Sequence, residues 1–201
     1  MEDVEGNIYK TVKIGNQEWM AENLNVSQFR NGDLIPEAKT KEAWLNAGKE
    51  SKPVWCYYDN NPENGKKYGK LYNWYAVNDL RGLAPEEWHI STKENFESLI
   101  LEVSKDGNAL KAKGQGTGSG AGTNTSGFSA LLAGYRGYSG YLLWLRLFRR
   151  LHIPYFWSST EHNAANAYYM SLNGGGSYVY LSYSRKEDGF SVRCVKDKSI
   201  Y

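Results

Sequence analysis

Phe156 to Lys196 reads FWSSTEHNAANAYYMSLNGGGSYVYLSYSRKEDGFSVRCVK, and its punctuation decides the fold. Four short runs rich in β-branched and aromatic residues stand out: Phe156 to Thr160, Ala167 to Leu172, Tyr178 to Ser184 and Phe190 to Lys196. Turn residues separate them, among them Asn173-Gly174-Gly175-Gly176 between the second and third. Strands joined this tightly must run antiparallel, because a parallel crossover needs a dozen or more residues. Phe128 to Arg136 reads as one more strand ahead of them.

Upstream the pattern is mixed. Tyr9 to Ile14 alternates, and Gly15-Asn16 turns the chain into Glu18-Trp19-Met20 as a hairpin. Thr40 caps a short helix over Lys41 to Asn46, ended by Gly48. Val54 to Tyr58 is strand-like, and Asp59 to Gly65 is dense turn chemistry. The clearest helix is Thr92 to Ser104. Ser91 and Glu94 form a capping box there, and Phe96, Leu99, Ile100 and Val103 share one face. Gly114 to Gly127, with its recurrent Gly, Ser and Thr, reads as a mobile loop. No composition break or fixed repeat divides the chain, so residues 1–201 are read as a single α+β domain with helices early and an antiparallel sheet late.

Bulk composition excludes several classes. A chain of 201 residues with 41% hydrophobic and 23% charged content suits a soluble globular protein. A net charge of +2 gives no nucleic-acid surface. No apolar run approaches the ~18 residues of a transmembrane helix. Met1 is followed by Glu2, Asp3 and Glu5, unlike a basic and then apolar leader. Cys56 and Cys194 allow one disulfide or two thiols and fit no zinc or redox spacing.

Catalytic motifs are sparse. Gly114-Gln115-Gly116-Thr117-Gly118 lacks the Gly-Lys-Ser/Thr ending of a phosphate loop. Ser139 misses the second glycine of a nucleophile elbow. His89, His152 and His162 have no zinc-like spacing; His89 reads as core or hydrogen-bonded, the other two as surface. Asp59, Asn61 and Glu63 begin like a calcium loop but lack its glycine and twelfth-position glutamate. The sequence therefore calls for no metal, no cofactor and no catalytic residue.

Recognition chemistry is abundant instead. Tyr135 to Arg185 holds nine of the sixteen tyrosines and five arginines (Arg136, Arg146, Arg149, Arg150, Arg185), no lysine, and Glu161 as its one acid. Tyr, Trp and Arg bury large area while losing few rotamers, which is the composition of contact surfaces. The stretch Tyr141 to Ile153 is apolar enough to need covering, by a ligand or by docking as an amphipathic helix.

Whole phrases also resemble a known family. Ile8 to Leu24 (IYKTVKIGNQEWMAENL), Tyr68 to Val77 (YGKLYNWYAV), Glu87 to Thr92 (EWHIST), Phe156 to Glu161 (FWSSTE) and Gly189 to Asp197 (GFSVRCVKD) resemble, in order, the Fibrobacter succinogenes major paralogous domain. The resemblance implies a C-type lectin-like fold, two helices around antiparallel strands with long loops, related in shape to the formylglycine-generating enzyme. It implies a bacterial surface or secreted protein of a lipoprotein-rich family, and a ligand face on the C-terminal strands and loops. Some such domains are variable proteins of diversity-generating retroelements, in which chosen codons change while the scaffold stays fixed.

That resemblance marks residues 138–185 as the variable binding region. The expected contacts are Tyr138, Tyr141, Trp144, Arg146, Phe148, Arg149, His152, Tyr168, Tyr169, Ser171, Asn173, Tyr178, Tyr180, Tyr183 and Arg185, with Trp74 and Trp157 assigned to the core. The partner is a protein or a glycan, and the chain is expected to be a monomer and not an enzyme. Alternatives are a formylglycine-generating-type catalyst and a structural surface module. One departure stands out: Ala84-Pro85 occupies the place of the family's Cys-Pro, so Cys194 lacks its usual disulfide partner. The calcium-dependent sugar signatures of true C-type lectins are absent.

Overall fold

The structure is a computed structural model that describes residues 1–143 and 153–197. Along the chain run β1 (Thr11–Ile14), β2 (Gln17–Met20), α1 (Lys41–Lys49), β3 (Trp55–Tyr57), α2 (Pro62–Tyr68), β4 (Lys70–Tyr72), α3 (Trp74–Val77), β5 (His89–Ile90), α4 (Lys93–Glu102) and α5 (Gly107–Leu110). Then follow β6 (Tyr135–Arg136), β7 (Leu142–Leu143), β8 (Tyr155–Asn163), β9 (Asn166–Leu172), β10 (Val179–Arg185) and β11 (Cys194–Asp197). The result is a mixed α+β architecture in which neighbouring strands pair antiparallel. Among the described residues no helix is long and apolar enough to cross a membrane.

Two sheets dominate. One has the order β1-β2-β11-β5, so the C-terminal strand lies between the N-terminal hairpin and β5. Gly15 makes that hairpin possible at φ +59°, a conformation cheap only for glycine. The other sheet runs β10-β9-β8. The two-residue period of its strands sends side chains to two different cores. Phe156, Met170 and Leu172 join Trp19, Phe96, Leu99 and Phe128, where Trp19 stacks on Phe96 at 5.7 Å. Trp157 and Ala167 point the other way, into a core with Tyr72, Trp74 and Phe190. Both indoles assigned to the core are buried and paired: Trp74 donates to the Ser158 carbonyl and Trp157 to that of Tyr72.

Five cations are buried among the described residues, and three of them, Arg193, Arg136 and Lys111, are each held by several backbone carbonyls. Arg193 donates to Met20 O at 2.7 Å, Phe128 O at 2.8 Å, Ser129 O at 3.3 Å and Asn23 Oδ1 at 2.6 Å. Burial pushes its guanidinium down to about 9, which leaves it charged at neutral pH. Arg136 donates to Ala38 O, Thr40 O and Gly140 O while stacking on Trp44. The Lys111 ammonium donates to the carbonyls of Gly120 (2.5 Å), Asn173 (2.7 Å) and Gly176 (2.9 Å). Each joins segments distant in sequence by donating to their carbonyls.

Several expectations need correcting. The Lys41 helix runs through Gly48 to Lys49, and its Thr40 cap is as expected. The α4 cap is Thr92 with Asn95, not Ser91 with Glu94. The Ser91 backbone serves Arg193 and Ser159 instead, which places Ser91 in the strand layer. Asp59 to Gly65 is not only turn: Asn61 caps α2, with Pro62 in its first turn. Phe128 to Arg136 is strand only at β6, because Arg193 draws the Phe128 and Ser129 carbonyls inward and Ser129 sits at φ +58°. The glycine loop is pinned, not loose. Thr117 donates to Gly174 O, and a Cβ on Gly120 would stand 2.4 Å from Gly176 N. Cys56 and Cys194 are both buried free thiols. Arg136, counted with the surface arginines from sequence, is a core residue.

Replacing Arg193 with Met should therefore cost about 3 kcal/mol or more, since several carbonyls lose their donor in the core. Urea unfolding measures this; a loss below about 1 kcal/mol would contradict the assigned role. Lys111→Met should lower stability as well. It should also speed amide exchange in residues 173–177, whereas unchanged exchange there would show that the ammonium does not hold the turn.

Candidate binding surface

The β9–β10 hairpin presents the largest share of the expected contacts. Tyr178 and Tyr180 stand side by side near its turn, ring centroids 6.3 Å apart. Near its other end the His162 ring lies flat on Tyr183 at 3.9 Å, and a 3.0 Å hydrogen bond joins His162 Nδ1 to Tyr168 Oη. Lys93, at the start of α4, lies 5.6 Å above the Tyr168 ring. Cross-strand register explains the grouping, since Tyr183 faces Tyr168 directly.

A second group forms where the chain re-enters from β6. The Arg185 guanidinium covers the Tyr138 ring at 4.3 Å. Beneath them Asp188 is buried, accepting from Tyr138 N at 2.6 Å and Ser184 Oγ at 2.5 Å. Burial pushes the Asp188 carboxyl above the usual range, with the Ser184 and Tyr138 donors opposing. Tyr141 is oriented by Lys41, whose ammonium lies 2.8 Å from its hydroxyl. Five tyrosines, Tyr138, Tyr141, Tyr178, Tyr180 and Tyr183, are between 48 and 66% exposed. Arg185 is exposed too, and Tyr168 is half-buried.

Other expected contacts fall elsewhere. Ser171 is buried, facing Tyr180 across the ladder, so it cannot meet a ligand. Asn173 shapes the turn: its side-chain oxygen accepts from Gly175 N and its carbonyl from Lys111. Tyr169 is half-buried against Tyr155 and Phe190. Trp144, Arg146, Phe148, Arg149 and His152, with most of the apolar stretch around them, lie outside the described residues.

Sequence reasoning missed the support beneath the rings. Tyr135, Tyr155 and Tyr169 pack in a row, 4.6 and 5.3 Å apart, and burial raises all three phenols. Tyr135 and Tyr155 look in sequence like the exposed tyrosines around them, and Asp188 looks like a turn residue. Their signal was position between strands rather than composition.

This surface offers rings, a guanidinium and hydroxyls. A pocket of about 250 Å³ lies apart from it, lined by Asp3, Arg30, Leu83, Ala84 and Pro85 among others. Among the described residues no three His, Cys, Asp or Glu side chains gather as metal ligands. The arrangement suits contact with a partner surface through stacking and hydrogen bonds.

Asp188 provides a pH test. Its native carboxyl holds a proton more tightly than the unfolded chain's, so the native state binds more protons above the ordinary value of 3.8. Stability should therefore fall as pH rises through that window. Asp188→Asn should remove that downward component, read as the difference between the two proteins' urea midpoints from acid to neutral pH. Parallel curves would contradict it.

The description Fibrobacter succinogenes major domain belongs to the family model that matches residues 12–196. No curated protein matches the chain, and no solved structure does. By a match that spans nearly its whole length, the chain belongs to the Fibrobacter succinogenes major domain family.

Proposed function

We propose that this protein is a non-enzymatic binder of a protein or glycan. Its frame has the C-type lectin-like plan, and its contacts come from both faces of β10, with Tyr178 and Tyr180 on one and Tyr183 with Tyr168 on the other. The observation that carries the reading is the exposure of Tyr138, Tyr141, Tyr178, Tyr180 and Tyr183 over a pinned support. Rings half in water contribute little to folding and much to a contact that covers them. Arg185, Tyr168 and, outside the described residues, Trp144, Arg146, Phe148, Arg149 and His152 complete the binding set. The variable protein of a diversity-generating retroelement needs such a division, because changes at exposed positions leave buried phrases intact. Display at the cell surface or secretion suits a binder of this kind.

The thiols argue against a cysteine-based catalyst of the formylglycine-generating kind. Cys56 and Cys194 lie in separate core clusters. Burial pushes the Cys56 thiol up to about 11 and raises Cys194 as well, the opposite of an activated thiolate.

A display library randomised at Tyr138, Tyr141, Tyr178, Tyr180, Tyr183 and Arg185 tests the division. Most members should fold, and panning against lysozyme should return specific binders. A library that mostly fails to fold would contradict the reading. In the unaltered protein, a glycan array and a panel of bacterial and host surface proteins serve as ligand probes. Ala at Tyr178, Tyr180 and Tyr183 together should weaken any hit at least tenfold while shifting the unfolding free energy by about 1 kcal/mol. Diversification itself predicts a neighbouring reverse transcriptase gene with a near-copy of the 3′ coding segment differing at adenines.

A further inference from the structure

The outer edge of β10 is unpaired over a specific length among the described residues. Among the described residues strand β10 pairs only with β9, so one of its sides has no neighbouring strand there. Hydrogen-bond direction tells which groups face that side. Asn173 N donates to Tyr178 O, and at the far end Lys186 N donates to Ala165 O, so the even-numbered residues of β10 are bonded to β9. Val179, Leu181 and Tyr183 then turn their N–H and C=O groups outward, where no described residue meets them.

The unpaired stretch is closed at both ends. Ser177 O accepts from Gly107 N, and Arg185 O accepts from Asp188 N. What remains between them is symmetric about Leu181. None of the usual protection is present: Val179 to Arg185 contains no proline, glycine or lysine, and its register with β9 runs unbroken. The edge strands of the other large sheet are guarded differently, β1 by Lys13 and β5 by being two residues long. No residue of β10 is fully buried.

We propose that this edge pairs with the same edge of a second copy, making an antiparallel dimer whose two-fold axis passes by Leu181. Leu181 then faces Leu181 of the second copy, Val179 faces Tyr183 of the second copy, and Tyr180 faces Ser182 of the second copy. Every outward donor of Val179, Leu181 and Tyr183 meets an outward acceptor, and none is left over. The side chains are complementary as well: a β-branched residue opposes an aromatic ring, and a large ring opposes a serine. The one charge of the strand, Arg185, falls beyond the paired stretch, so no like charges meet. The interface is isologous, as two-fold symmetry requires. It joins two three-stranded sheets into one and sets two copies of the exposed β10 tyrosines beside each other, in place of the monomer expected from sequence.

Sedimentation equilibrium from micromolar to millimolar protein tests the pairing, with the 22.8 kDa chain as the monomer reference. Average mass should rise toward twice that value. Amide exchange of Leu181 and Tyr183 should slow with concentration, while Tyr180 and Ser182, already bonded to β9, stay unchanged. Leu181→Pro removes an outward N–H without touching the β9 ladder and should raise the dimer dissociation constant at least tenfold. If that variant misfolds, the exchange pattern of the unaltered protein decides by itself. A monomer throughout, or association that leaves the Leu181 and Tyr183 amides fast, would overturn the proposal. The measurement needs no ligand, so its outcome is independent of the binding reading.

Discussion

Cations held by carbonyl oxygens organise this molecule. Arg193, Arg136 and Lys111 are each almost wholly buried, and the hydrogen-bond partners of Arg193 and Lys111 include no carboxylate. The long loops between strands leave many carbonyls pointing inward without a ladder to satisfy them. A guanidinium with five donors, or an ammonium with three, gathers such carbonyls from segments far apart in sequence. Arg193 ties the N-terminal hairpin to the Phe128 loop and β11. Arg136 ties the start of α1 to the chain leaving β6. Lys111 ties the glycine loop to the β9–β10 turn.

These ties have a functional consequence. A desolvated cation surrounded by fixed dipoles holds its neighbours in one arrangement, because any opening strands both a charge and its acceptors. The turn that carries Tyr178 and Tyr180 is thus anchored from below, by Lys111 through the Asn173 and Gly176 carbonyls. The segment carrying Tyr138 is anchored by Asp188. In the proposed binding role, rings set on such supports would need little ordering, which favours affinity.

Much of the frame was legible in the sequence. The Gly15-Asn16 hairpin, the apolar face of α4 and the β9–β10 turn at Asn173 to Gly176 follow local rules of period and turn chemistry. The family phrases pointed to one domain type across most of the chain. What local rules could not show was where long polar side chains go. Arg136 reads as one more surface arginine beside Tyr135 and Tyr138, yet it lies under Trp44. Ser171 and Asn173 look like surface polar residues, but register buries the first and the turn employs the second. Gly114 to Gly127 has the composition of a flexible linker, and its contacts with a distant hairpin, through Lys111 and Thr117, help give it a fixed shape. The placing of Arg136 and of the glycine loop depends on contacts more than fifty residues apart, which neither period nor propensity encodes.

The central claim is that a frame pinned by buried cations carries a face that can be altered freely. Saturation mutagenesis of the whole chain, read by resistance to proteolysis, measures this most directly. The account predicts that Arg136, Arg193 and Lys111 tolerate almost no replacement while Tyr138, Tyr141, Tyr178, Tyr180, Tyr183 and Arg185 accept nearly all. Tolerance at the three cations, or intolerance across the exposed face, would contradict it.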